Sequence, residues 1–296
     1  MRKSNLPEKK SYWGMILKEF LTNRSAVFFL CVMTALVLFV FLQPYLPGQR
    51  SPVMIYNDPA TGIQFRNRTP DAEFWLGTNS IGQDLWARTW AGARTSLLIG
   101  FVTAGIEILL GTAAGLIWGY WKRFDLVFTE IHNLFSNVPR TLVLILLSYI
   151  RKPGAGTIIL ALSLTGWLGT ARLVRNMVVI LRDREYNIAS RVLGSSAARI
   201  MVRNLLPYLT GICAMRAAFA IPAAIGNEVF VTYIGIGLPA DMPSLGNLIQ
   251  AGRLVMSEPA LRYQLLLPVG IVSLITVSMY VIGNAFADAS DPRRSV

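Results

Sequence analysis

At 296 residues, 53% hydrophobic and only 15% charged, with a mean hydropathy of +0.48, the chain is too apolar for a soluble domain of this size, which typically carries about 25% charged residues. Its net charge of +12, from 28 Lys and Arg against 16 Asp and Glu, does not indicate a nucleic-acid partner, because the basic residues flank apolar blocks rather than covering a face. Several blocks reach the roughly 20 residues needed to cross a hydrocarbon core, and alternating ten-residue strands are absent, which leaves an all-α membrane protein.

The first 25 residues carry Arg2, Lys3, Lys9, Lys10, Lys18 and Arg24 and read as an N-terminal segment on the cytoplasmic side. Residues 26–46 hold no charge and predict the first transmembrane helix. The run is too long for a signal-peptide core and lacks a small-residue cleavage site, so it stays in the membrane. A polar stretch, 47–93, punctuated by Asn57-Asp58-Pro59 and Thr61-Gly62, predicts an extracytoplasmic loop. Residues 94–287 form the five-helix remainder. Its first span runs from Thr95 to Trp121, interrupted by Glu107, with Gly100, Gly105, Gly111 and Gly115 as small residues for close helix packing.

The third span, Val127 to Ile150, is polar in its first half, with Glu130, His132, Asn133 and Asn137 before Pro139-Arg140. The fourth runs from Gly156 to Leu181, with Arg172 and Arg175 near its far end. A basic amphipathic loop, 182–204, precedes the fifth span, Leu205 to Ile234, which contains Arg216 and Glu228. A Gly- and Pro-rich loop from Gly235 to Pro259 leads to the charge-free sixth span, Tyr263 to Ala287, and a polar tail, 288–296.

Six spans put both termini on one side. That side holds six basic residues before the first span, two at Lys122-Arg123, seven from Arg172 to Arg203 and two at Arg293-Arg294, against nine on the other. The positive-inside rule therefore predicts cytoplasmic termini and a cytoplasmic 182–204 loop. Within that loop nothing breaks a helix from Glu185 to Leu193, and Gly194 supplies a stop. Ile188, Ala189, Val192 and Leu193 share a face, with Arg184 and Arg191 off it. The resulting rod, about 14 Å long, suits a groove on a soluble partner or, alternatively, the lipid headgroup layer.

Glu185, Ala189, Gly194, Ile200, Leu206 and Pro207 resemble the EAA–Gly–Ile–Leu-Pro loop of permeases in ATP-binding-cassette importers. Three further stretches resemble the peptide/nickel branch, the oligopeptide- and dipeptide-type permeases. They are Phe74-Trp75-Leu76-Gly77-Thr78 with Gly82 and Asp84; Glu228 with Tyr233-Ile234-Gly235-Ile236-Gly237 and Pro243-Ser244-Leu245-Gly246; and Gly283 to Arg293. Ser190, Tyr208, Gln83 and Leu245 depart from that pattern. The resemblance implies a six-helix type I importer fold with a coupling helix, in a bacterial inner membrane. It also implies a second homologous permease subunit, two cytoplasmic ATPases, an extracytoplasmic substrate-binding protein, and peptides as cargo, with nickel or another small solute as alternatives.

The chain has no G-x-x-x-x-G-K-[ST], so it lacks the loop that cradles nucleotide phosphates, and ATP and Mg are expected on the partner ATPases rather than on a cofactor site here. An enzyme would need a convergent catalytic set, which one histidine and scattered carboxylates do not supply. Neither His132 nor the two cysteines, Cys31 and Cys213, have ligand-spaced neighbours for a metal. A self-sufficient secondary transporter remains the competing class. Charged groups inside spans each cost about 2.5–3.5 kcal/mol at the bilayer centre. Glu130, His132, Asn137, Arg140, Arg216 and Glu228 are therefore the candidate pathway-lining residues, with interfacial placement and snorkelling as the alternative.

Overall fold

The computed structural model describes residues 12–290. Arg2, Lys3, Lys9 and Lys10, and the end of the tail from residue 291 with Arg293 and Arg294, lie outside the described residues. Eleven α-helices occur among those described. Helix α1 (Tyr12–Thr22) buries Ile16 and Phe20 and leads through the Asn23 cap, which accepts a hydrogen bond from the Ala26 amide, into α2 (Arg24–Leu42). The first span thus starts two residues before the uncharged run. Among the described residues five helices are long and apolar enough to cross a membrane, and one pair bent at a short break passes the same test only when its two helices are taken together.

Helix α3 (Leu85–Tyr120) starts ten residues before the expected Thr95, at Asp84, whose carboxylate caps the Ala87 amide. Arg88 and Arg94 interrupt the apolar pattern here, but both are satisfied internally. Arg88 donates to the carbonyls of Pro52 and Ala240, and Arg94 donates to that of Val40 at the end of α2. Trp86 and Trp90 near one end, and Trp118 and Trp121 near the other, bracket roughly 42 Å of helix, the span of a bilayer with its headgroups.

The third span is broken. Helix α4 (Lys122–Ser136) and α5 (Arg140–Ile150) meet at 74°. Pro139 offers no amide and pushes Val138 out of helical backbone, so the straight Val127–Ile150 span does not form. Helix α6 (Ala155–Arg182) packs along α3 at very close range. A side chain at Gly111, Gly115 or Gly119 would collide with Thr170, Val174 or Val178 at 2.5–2.7 Å. Of the glycines singled out in the sequence, Gly105 faces open space and Gly100 instead admits Ile221 and Ile225 of α9 (Leu206–Tyr233).

The short helices α7 (Glu185–Val192) and α8 (Ala197–Ile200), followed by one π turn (Met201–Leu205), connect α6 to α9. Helix α10 (Leu245–Leu254) lies against α3 and α11 (Tyr263–Ala289), which packs on α9 and α2. The first and last described helices meet at one end of the bundle: the Phe20 and Phe286 rings are 4.5 Å apart, and Ser290 covers Gly211. Cys31 is exposed on α2, whereas Cys213 sits 3.3 Å from the Thr112 hydroxyl.

The 47–84 segment caps the opposite end without extended strands; isolated bridges such as Ile55 to Gln83 hold it. Its centre is the fully buried Phe74, with the Arg50 and Arg68 guanidinium groups 4.2 and 5.2 Å from its ring centroid. Glu73 pairs with both arginines and Asp71 with Arg68. The Phe74–Asp84 stretch therefore builds the cap and the start of α3 together.

Candidate coupling loop and intramembrane charges

Helix α7 presents its apolar residues outward. Ile188, Val192 and Leu193 are 45%, 82% and 84% exposed, and Ala189 is exposed beside them. What holds so small a helix is its other face. The Asn187 side chain, fully buried, donates to the Leu181 carbonyl at 2.8 Å and accepts from the Asn204 amide at 2.9 Å. The same Asn204 group donates to the Ser190 hydroxyl at 3.3 Å, and Arg191 donates to the Arg182 carbonyl at 3.0 Å. The helix is thus strapped both to the end of α6 and to the π turn before α9.

Each motif residue has a place in this arrangement. Glu185 opens α7 in its first turn, where a carboxylate complements the helix dipole. Gly194 ends it in left-handed backbone, φ 79°. The Gly194 amide bonds the Arg191 carbonyl and the Ser195 amide bonds that of Ser190, the paired pattern of a Schellman stop. Ile200 is buried with Leu205 and Leu209 against Val174 and Val178, and Leu206-Pro207 opens α9. Asn187 and Asn204 were missed by sequence reasoning. The available signal was the polar face Asn187, Ser190, Arg191 opposite the apolar stripe.

The candidate pathway residues do not form one group. Glu130 and Asn137 are exposed on α4 and at its end. His132 is buried, its ring 5.8 Å from that of Trp118, whose indole donates to Asp125 in a cluster closed by the Arg175 guanidinium at 2.7 Å. Glu228 is fully enclosed rather than pathway-facing. Its carboxylate accepts from Ser96 at 2.7 Å and Thr232 at 3.1 Å and bonds Ser244, while the Leu245 amide donates to Ser96. It fastens α3, α9 and the start of α10 together, which explains the company it keeps with Pro243-Ser244-Leu245-Gly246 in the sequence.

Arg140 and Arg216, by contrast, converge. Both lie within electrostatic reach of Glu107, the charge that interrupts the second span. Glu107 is buried against Gly166 of α6, where a side chain would overlap its carboxyl group.

Residues 108–296 match the family of binding-protein-dependent transport system inner membrane components, and residues 11–60 match the N-terminal TM domain of oligopeptide transport permease C. The chain is 35% identical to the oligopeptide transport system permease protein AmiD of Streptococcus pneumoniae, covering 96% of this chain and 90% of that one. It is 31% identical to the permease OppC of Bacillus subtilis over the same shares, and 35% identical to the dipeptide permease DppC of that organism over 87% and 80%. Among solved structures, a chain of the MetNI methionine ABC transporter in inward-facing conformations has a similar fold, with TM-score 0.53 and 21% identity over 68% of this chain and 96% of that one. The helical bundle, the strapped loop between α6 and α9 and these matches place the chain in the family of binding-protein-dependent transport system inner membrane components, as an oligopeptide-permease-like, multi-pass subunit of an ATP-binding-cassette importer.

Proposed function

We propose that this chain forms half of the translocation pathway of an importer that carries peptides, and that α7 is where the motor engages it. The observation that carries this reading is the contrast between the two faces of α7. Three apolar side chains stand in the open on a helix whose polar face is fully bonded. An exposed apolar stripe on a rigidly mounted helix is the form a groove-docking element takes. The end of the bundle with the termini and the 182–204 loop is then cytoplasmic, and the 47–84 cap faces outward toward a substrate-binding protein.

The remaining subunits are a second, similar permease and two ATPases that bind ATP and Mg, this chain supplying no catalytic group. Nucleotide-driven closure of the ATPases displaces α7 and shifts the bundle between inward- and outward-open states, a two-state change biased by binding. Peptide cargo is supported by the names of the relatives at 31–35% identity over most of the chain.

The test is co-purification of the ATPases with Val192→Glu and Leu193→Glu variants. Both are expected to insert in the membrane at wild-type levels and to lose the ATPases and peptide uptake together. Full retention of the ATPases by the double variant, or peptide movement by the purified chain alone, would overturn the reading.

A further inference from the structure

Four elements bring charge together midway through the bundle. Glu107 lies on α3, Arg140 is the first residue of α5, Arg216 lies on α9, and Gly166 and Gly169 of α6 leave the gap they fill. Two cations thus face one anion. Among the described residues neither guanidinium forms an ion pair within 4.0 Å, and the Arg216 Nε is buried without a hydrogen-bond partner. A buried donor left without a partner is costly, more so when charged, so this arrangement stores unused binding capacity.

The geometry also focuses that capacity. A Cβ placed on Gly169 would stand 3.1 Å from one terminal nitrogen of Arg216 and 3.8 Å from one of Arg140, so both forks converge on the same small space. Arginine forks match the planar, two-oxygen outline of a carboxylate. The break before Arg140 adds to the same field, since the first turn of α5 has no side-chain cap on its amides. Breaks of this kind within a membrane are tolerated where they line a cavity.

We propose that Arg140 and Arg216 form a subsite for a carboxylate group in the membrane-embedded pathway, with Glu107 neutralising one of the two charges. Resting on the peptide reading above, the group is the free C-terminal carboxylate of the cargo. Glu107 offsets one charge from beyond ion-pair distance, and the peptide carboxylate takes up the second charge as the peptide passes. The excess of a single positive charge favours entry without trapping, because the neighbouring acid competes for the same guanidinium groups.

The experiment compares uptake of a peptide with its C-terminal amide by the complete complex in liposomes, binding protein included. The acid-to-amide uptake ratio is read for wild type, Arg216→Gln, Arg140→Gln and Glu107→Gln. Because the binding protein is the same throughout, its own preference cancels between variants. The ratio is expected to fall about tenfold in either arginine variant, a difference of about 1.4 kcal/mol, to be restored by Arg216→Lys, and to rise in Glu107→Gln. A purely structural role for these residues does not predict opposite signs. Should Arg216→Gln fail to assemble, Arg140→Gln, at a half-buried helix end, carries the test alone. Uptake of both peptides with an unchanged ratio in the arginine variants overturns the site; absence of uptake of either peptide by the wild type removes the peptide reading and the site with it.

Discussion

Asn187 shows how much of the proposed docking helix depends on one side chain on its buried face. Its amide and carbonyl bond two different elements, so Asn187→Ala removes both ties; the Leu181 carbonyl keeps the Arg184 amide and the Asn204 amide keeps the Ser190 hydroxyl, so the loss is about 0.5–1.5 kcal/mol per bond. The expected outcome is reduced co-purification of the ATPases with unchanged membrane insertion; wild-type recovery would remove Asn187 from the argument. Gly194 is a different case. Nothing lies within 4 Å of where its Cβ would stand, so substitution there acts through backbone conformation alone. Gly194→Asn should be tolerated and Gly194→Val should loosen the stop by about 1–2 kcal/mol, read as faster hydrogen exchange in 185–195. At this scale the sequence disclosed Glu185 and Gly194 through helix signals and family resemblance. It hid Asn187, because a polar residue in a basic surface helix looks like solvated surface until its partners six and seventeen residues away are placed.

The helices repeat the lesson with packing in place of hydrogen bonds. Small residues in α3 were legible, but which of them meet a neighbour depends on rotation about the helix. Gly111, Gly115 and Gly119 face α6 and Gly105 faces nothing. Gly115→Leu should therefore lower the melting temperature of the purified complex by several degrees, overpacking costing about 1–3 kcal/mol, whereas Gly105→Ala should leave it unchanged or raise it. Equal effects at both positions would contradict the α3–α6 contact. The 47–84 cap offers a pH test. The Phe74 amide, with that of Glu73 and the charge of Arg68, holds the Asp71 carboxyl below the usual aspartate range. A depressed folded value means that the contribution is present above the unfolded value and lost as pH falls through the folded one. Exchange protection of the Phe74 amide should then persist at neutral pH and disappear only as pH falls below the ordinary aspartate range, through the depressed folded value. Asp71→Asn should show the weaker protection at every pH. Spans were legible from apolar length, while the early start of α3 was not, because Arg88 and Arg94 find carbonyl partners that lie tens of residues away in sequence.

Taken whole, the molecule is a bundle with a built cap at one end and a mounted rod at the other. Cysteines introduced at Leu193 and at Ile63, both well exposed, should react with an impermeant thiol reagent from opposite sides of the membrane, Ile63→Cys from outside. Labelling of Ile63→Cys from inside and of Leu193→Cys from outside would invert the proposed orientation. The five long spans could be read in the sequence, but the bend between α4 and α5 and the scattering of the polar candidates could not. Glu228 fastens helices and His132 packs at a tilt against Trp118, while Arg140 and Arg216 gather around Glu107, and only folding sorts one from another. The double mounting of α7 has a mechanical corollary. Because a single asparagine pair ties it at once to the last turn of α6 and the entry to α9, it works as a yoke and not as a hinge. A lateral pull is divided between two spans that run in opposite directions, so displacement of a few ångströms at the surface arrives inside the bundle as shear between neighbours.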